Sequence, residues 1–149
     1  MKINIISVGK LSSDYAKLAG HYSKMIKWKI AQTEITYAKK LNEGQIKAYE
    51  AKLIAEHVKA GSYCIVLDVL GKHVTSEDFS LLFKNQMMIG KEVDIIIGGA
   101  FGLDESIIKS ADMILSLSKM TLPHQLAKLV LLEQIYRGQT ILERHPYHK

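Results

Sequence analysis

The stretch Leu115-Ser116-Leu117-Ser118-Lys119-Met120-Thr121-Leu122-Pro123-His124 runs from an apolar strand into the start of a helix. Its middle is polar and flexible, and Pro123 suits a first helical turn, where a missing N–H costs nothing. Loops between a strand and the next helix are where α/β proteins hold ligands. A second candidate, Gly98-Gly99-Ala100-Phe101-Gly102, follows an apolar run. Glycines there either let a backbone approach a ligand closely or make a plain tight turn. The third is the tail, Glu143-Arg144-His145-Pro146-Tyr147-His148-Lys149. It is either a frayed basic end or a short RNA clamp, with cations for phosphate and Tyr or His for stacking on a base.

Other chemistries find no support. The glycine run lacks both the dinucleotide spacing and the Gly-Lys-Ser/Thr of a P-loop. No Gly-x-Ser-x-Gly elbow points to a Ser–His–Asp hydrolase. The six histidines are not joined by an acid or cysteine cluster, so no metal site is expected. Cys64, the single cysteine, lies inside an apolar run and reads as core packing.

These loops need a scaffold. Ile3–Val8 reads as a strand, followed by a helix capped by Ser12 or Ser13, with Tyr15, Leu18, Ala19, Tyr22, Met25 and Ile26 on its apolar face. A strand is expected from Ile30 to Tyr37, with Ile35 and Tyr37 on one side, then a loop from Lys39 to Gly44. A helix over about 43–59 would bury Ile46, Tyr49, Leu53, Ile54 and His57. Tyr63-Cys64-Ile65-Val66-Leu67 and Val93-Asp94-Ile95-Ile96-Ile97 are continuous apolar runs of the kind buried on both faces of a parallel sheet. Asp68 to Lys72 reads as a turn. Thr75 and Asp78 form a capping-box pattern ahead of Phe79, Leu82, Phe83 and Met87. Asp104-Glu105 favours a short helix, and 113–117 a last strand. The helix over 123–136 is apolar nearly all round, which predicts burial or an interface.

Strands alternating with helices make the class α/β. The ends of three strands, at Leu67-Asp68, Ile97-Gly98 and Leu117, should gather at one sheet edge and could surround one small molecule. Asp68 either joins them or simply caps its own turn.

The chain has 149 residues, 48% apolar and 23% charged, enough for one domain over 1–149. No apolar run reaches bilayer length and no signal pattern is visible, and the cysteine usage fits the cytoplasm. Net charge is +5 and pI about 9.2. Residues 1–60 hold 11 Lys and 5 acids, or +6; residues 61–149 hold 9 Lys and Arg and 10 acids, or −1. Such a basic first part fits a phosphate-rich partner or a solvated lysine surface.

Ile97-Gly98-Gly99-Ala100-Phe101-Gly102, the 117–124 loop, Glu133-Gln134-Ile135-Tyr136-Arg137 and His145-Pro146-Tyr147-His148 occur together and in order, with Ile6-Ser7-Val8-Gly9-Lys10 and Leu67-Asp68-Val69-Leu70-Gly71-Lys72 ahead of them. Over essentially its whole length the chain resembles the SPOUT-class methyltransferases that modify N3 of a pseudouridine in 23S ribosomal RNA. That resemblance implies an α/β, parallel-rich sheet flanked by helices, with a C-terminal trefoil knot. It implies a homodimer that uses S-adenosylmethionine, no metal, and a substrate presented at the subunit interface by the assembled ribosome. By motif, Leu67, Gly98, Leu117, Ser118, Lys119, Met120, Thr121 and Leu122 would line the cofactor pocket. His124, Arg137 and Arg144 would face RNA, and Tyr147, His148 and Lys149 would be the catalytic tail. Lys149 stands where the family usually has Arg, keeping charge but losing the planar fork. Lys119 and Met120 occupy loop places where small residues are common. His148, or Tyr147 if cations lower its pKa, could take the N3 proton; Lys149 or Arg144 could stabilise the imide anion. The apolar helix would form the dimer contact, and the lysine-rich first helix would present charge to the partner's site. The competing readings are a methyltransferase acting on transfer RNA and a non-catalytic ribosome-binding factor.

Overall fold

The computed structural model describes residues 1–36 and 41–149. The expected places of Tyr37 in the second strand and of Lys39 and Lys40 in the loop lie outside these residues. Elements alternate as β1 (Lys2–Val8), α1 (Ser13–Met25), β2 (Lys29–Ile35), α2 (Glu43–His57), β3 (Tyr63–His73), α3 (Ser76–Met88), β4 (Val93–Ile97), α4 (Glu105–Ser110), β5 (Met113–Ser116) and α5 (His124–Leu142). The five strands form one sheet in the order β2-β1-β4-β3-β5, and every pairing is parallel.

Strand alternation divides the core in two. Ile3, Ile5, Ile65, Val93, Ile95 and Ile97 pack against α1, α3 and α5 through Ala19, Phe79, Phe83, Leu131, Leu132 and Ile135. Ile6, Val8, Cys64, Val66 and Ile96 face α2 and α4 through Ala51, Ile54, Leu103 and Ile107. In the sheet order, the crossovers β1→β2 and β3→β4 move one way and carry α1 and α3. The crossovers β2→β3 and β4→β5 move the other way and carry α2 and α4. Opposite steps on opposite faces keep one crossover hand throughout. That winding leaves β4, β3 and β5 adjacent, with their carboxyl ends side by side.

Helix starts follow the sequence chemistry. Thr75 and Asp78 form the capping box of α3, Asn42 and Gln45 form another on α2, and Asp104 caps α4. Other expectations shift. Leu18 on α1 is 52% exposed, so its apolar stripe is narrower than the spacing predicts. On α2 the buried face is Glu50, Ala51 and Ile54, while Tyr49 and His57 are exposed. The expected face was rotated because a carboxylate, Glu50, occupies a buried place. Pro123 is the N-cap of α5 rather than its first residue, and α5 runs six residues past Tyr136 to Leu142. There Gly138, Gln139 and Thr140 are buried, polar or small residues that hydropathy does not mark as a packed face.

The largest departure is β3. Instead of ending at Leu67, it continues to His73, and Leu67 and Lys72 both pair with Leu115 of β5. Residues 68–71 bulge between the two halves, so the expected turn exists inside a strand. Gly71 makes the bulge possible: a Cβ there would lie 2.6 Å from the backbone carbonyl carbon of Leu115.

Asp94 is fully buried in β4 and accepts from Asn4 Nδ2 (3.1 Å), the Lys59 amide (2.7 Å) and the Ser62 hydroxyl (2.6 Å). Three donors make a buried carboxylate tolerable. Cys64 is buried as expected, and burial pushes its thiol up to about 11.

Candidate active site

The bulge of β3 and the ends of β4 and β5 enclose a cavity of about 600 Å³, within the range of small-ligand sites. Its wall is Leu67, Asp68 and Val69 from the β3 bulge, Ile97 to Ala100 with Gly102 and Leu103, then Leu115 to Ser118 and Met120 to His124. Ala127 of α5 closes it. The three segments therefore do meet around one space, although the one at Leu67-Asp68 is a bulge inside β3 rather than its end.

Each loop is built by its own sequence. Asp68 Oδ1 accepts from the Leu70 amide at 2.8 Å, so Asp68 both caps its turn and faces the cavity. The Gly99–Gly102 turn closes through the Gly102 amide to the Gly99 carbonyl (3.1 Å), with Gly102 at φ 78°. The glycine run is at once a tight turn and a wall. In the third loop the Ser116 hydroxyl donates to the Ser118 carbonyl (2.9 Å), and Ser118 Oγ accepts from the Met120 amide (2.9 Å). These serines shape backbone that no helix or strand ladder satisfies. Leu67, Gly98, Leu117, Ser118, Met120, Thr121 and Leu122 all border the cavity; Lys119 is exposed and does not. His124, expected on the RNA side, borders the cavity as well.

The tail is ordered and lies elsewhere. The Tyr147 hydroxyl donates to Glu133 Oε1 at 3.0 Å, and its ring meets that of Tyr136 edge-on at 4.7 Å. The Arg137 guanidinium carbon stands 4.8 Å from the Tyr147 ring centre. His148 Nε2 lies 3.0 Å from Glu77 Oε1, and its Nδ1 is 3.4 Å from Arg137 Nη1. A neutral imidazole carrying its proton on Nε2 satisfies both partners. Neither Arg137 nor any residue of 143–149 borders the cavity. Glu133 lies nine residues beyond His124, about 14 Å along a helix rising 1.5 Å per residue. One chain does not bring its own tail to its own cavity.

Electrostatics amends the roles expected of the tail. Burial, and then the Glu133 carboxylate it donates to, push the Tyr147 phenol well above its ordinary value. The lowering that a base role would need is absent, because burial raises the phenol and the acid adds to it. Glu133 likewise raises Arg137. Arg144 and Lys149 are exposed and make no ion pair among the described residues.

Three residues escaped sequence reasoning. Lys128 is 2% exposed; its Nζ donates to Ser7 Oγ (3.1 Å) and Glu34 Oε1 (2.9 Å), tying α5 to the ends of β1 and β2. A cation amid an apolar helix was the available signal. Glu50 is 3% exposed, raised by burial, and packs behind the glycine loop: a Cβ on Gly99 would lie 3.2 and 3.3 Å from its carboxylate oxygens. Glu133 organises the tail, and only the fold reveals it. Among the described residues no group of three His, Cys, Asp or Glu is placed to hold a metal, and no helix is long and apolar enough to cross a membrane.

Comparison with known proteins agrees with this geometry. Residues 1–148 match the family described as "Predicted SPOUT methyltransferase". The "Ribosomal RNA large subunit methyltransferase H" of Ruminiclostridium cellulolyticum is 44% identical, and that of Bifidobacterium adolescentis 40%, each over the full length of both chains. A solved structure described as a "Probable Methyltransferase" of Bordetella pertussis Tohama I has a TM-score of 0.58 at 13% identity, covering 91% of this chain and 95% of that one. At that identity it speaks for the fold alone. A parallel sheet with a cavity at the β3 bulge and the ends of β4 and β5, matched from end to end, places this chain in the SPOUT methyltransferase family.

Proposed function

We propose that this chain, a single unit over 1–149, transfers a methyl group from S-adenosylmethionine to N3 of a pseudouridine in 23S ribosomal RNA. It does so as a homodimer acting on the assembled ribosome in the cytoplasm. The observation that carries the reading is the three-loop cavity in a chain 44% identical, end to end, to a protein named for large-subunit RNA methylation.

The cavity suits an adenosine-type donor. Leu67, Leu103, Leu117 and Leu122 offer apolar walls for a base, and the serines and loop backbone offer hydrogen bonds. Asp68 is the acidic group of the wall, and its Oδ2 has no partner among the described residues, leaving an acceptor for a hydroxyl or an amine. Bound there, S-adenosylmethionine supplies a methyl group already activated on a sulfonium, so alignment is the protein's main task. The β3 bulge closing around Leu115, with α5 returning over the sheet, supports reading the C-terminal part as a trefoil knot.

The tail supplies the base side. Tyr147 stays a neutral phenol and His148 is held on both nitrogens, so the exposed cations Arg144 and Lys149 carry the electrostatic role. They favour loss of the N3 proton to solvent water, stabilise the imide anion left behind, and hold nearby phosphate. Because the tail lies apart from the cavity of its own chain, it completes the partner's site.

The test is labelled-methyl transfer to ribosomes, free 23S RNA and transfer RNA, with the full chain and with a chain lacking residues 147–149. The full chain should label ribosomal RNA at N3 of one pseudouridine. The shortened chain should bind S-adenosylmethionine within about threefold of normal yet transfer at least about 10²-fold more slowly. Label in transfer RNA would establish the other substrate class, and no binding of S-adenosylmethionine would leave a ribosome-binding factor.

A further inference from the structure

We infer that Glu133 is a positioning residue for methyl transfer: one carboxylate on α5 fixes the tail that meets the base. This rests on the reading of the tail given above. Glu133 Oε1 accepts from Arg137 Nη2 (2.6 Å), Arg137 Nε (3.0 Å) and the Tyr147 hydroxyl (3.0 Å). Glu133 Oε2 accepts from Gln134 Nε2 (2.6 Å), and Gln134 Oε1 accepts from the Ser76 hydroxyl (2.7 Å). One oxygen therefore joins a helical neighbour four residues on to a phenol fourteen residues on, beyond the end of α5. Its other oxygen braces it to the first residue of α3, whose next residue, Glu77, meets His148.

An ordinary i,i+4 ion pair on a helix surface contributes a few tenths of a kcal/mol and orders nothing else. This one is different in what it holds. The Glu133 side chain is 17% exposed, and Arg137, placed by it, lies against both the Tyr147 ring and His148. Loss of Glu133 deprives Arg137 of its counter-charge and Tyr147 of its acceptor together. The last residues of a chain fray unless tied down, and beside the His148–Glu77 contact the ties here, through Tyr147 and Arg137, converge on that carboxylate. The core of the sheet needs none of them.

The experiment compares Glu133→Ala, Glu133→Gln, Tyr147→Phe and the Glu133→Ala/Tyr147→Phe double variant. S-adenosylmethionine affinity is measured by calorimetry, single-turnover methyl transfer on saturating ribosomes, and tail release by carboxypeptidase digestion. Glu133→Ala should bind S-adenosylmethionine within about twofold of normal and transfer about 10²-fold more slowly, the scale of loss from a misplaced reacting group. Its tail should be trimmed faster. Glu133→Gln, keeping the acceptor for Tyr147 and losing the charge, should fall between. The double variant should be no slower than Glu133→Ala, because both changes break one unit. Single-turnover rates of Glu133→Ala within about twofold of normal would overturn the inference, as would losses that add in the double variant. Should Glu133→Ala not fold, Glu133→Gln carries the test, with a rate and trimming pattern equal to normal counting against it. If deleting 147–149 leaves transfer intact, the reading of the tail itself fails. If deletion abolishes transfer and Glu133→Ala does not slow it, only the role of Glu133 fails.

Discussion

Arg144 has a left-handed backbone, φ 54°, and is the non-glycine residue so placed among those described. It stands just past α5, where the His145 amide reaches the Thr140 carbonyl (2.9 Å) and the Arg144 amide reaches the Ile141 carbonyl (3.1 Å). That is the hydrogen-bond pattern of a Schellman stop, whose left-handed place favours glycine by about 1 kcal/mol. Arginine stands there against its backbone preference, with its cation exposed. Arg144→Gly should leave thermal stability equal or slightly raised, by about 1 kcal/mol at most, while transfer to ribosomes falls at least about tenfold. Melting curves and initial rates on the same preparation check both halves. Glu50 makes a pH prediction. Its folded pKa is raised from an ordinary value near 4.5 by burial, so folding binds its proton more tightly than the unfolded chain does. Its contribution to stability is complete below the ordinary value and is lost as pH rises through the raised one. Glu50→Gln should therefore melt higher than the parent near about pH 7.5, with the difference vanishing near about pH 4. Glu50 was not marked by the sequence, where it reads as a solvated helix charge; Arg144 was marked for its charge in the tail, but its positive φ leaves no trace when the residue is arginine.

Among the elements, β1, β4, α3 and the Thr75–Asp78 capping box were legible because local chemistry decides them, whereas Asn42 of the Asn42–Gln45 box on α2 was read only as loop. Thr75 and Asp78 cap α3 through bonds three residues apart. The β3 bulge was hidden, since it depends on Leu115, more than forty residues away. Residues 68–71 carry turn chemistry and do turn; what sequence could not give is that the chain resumes the same strand. The same locality explains the site. Its glycines and serines were legible as loops because they satisfy their own backbone, whereas Leu103 and Ala127 joined the wall only through packing. Gly71 measures how much rests on the bulge. A methyl group there meets backbone, which cannot swing aside, so Gly71→Ala should destabilise by about 1–3 kcal/mol and weaken S-adenosylmethionine binding as β3 and β5 separate. A Gly71→Ala protein with parental melting and parental affinity would remove the bulge from the account.

At the scale of the molecule, charge and site follow different plans. The basic first part, +6 over residues 1–60, owes most of its excess to lysines between its helices and strands, Lys10, Lys27 and Lys59 among those described, and none of these three borders the cavity. The apolar helix expected to be an interface is half-explained within one chain: Leu131, Leu132 and Ile135 are buried against the sheet, and Leu126, Leu129 and Val130 stay half-buried. That second face is what a second copy would cover. A cavity and a tail kept about 14 Å apart along α5 then make sense as two halves of two sites. The direct measurement is complementation in mixed dimers. One chain carries Gly98→Val, whose side chain collides with Leu103 in the cavity wall, a Cβ alone coming within 2.8 Å. The other lacks residues 147–149. Each homodimer should be inactive, the first through lost S-adenosylmethionine binding and the second through a lost tail. The purified mixed dimer should recover transfer at one of its two sites, the one that joins an intact cavity to the partner's intact tail. A mixed dimer as inactive as both parents would contradict the account, because it would mean that cavity and tail must belong to the same chain.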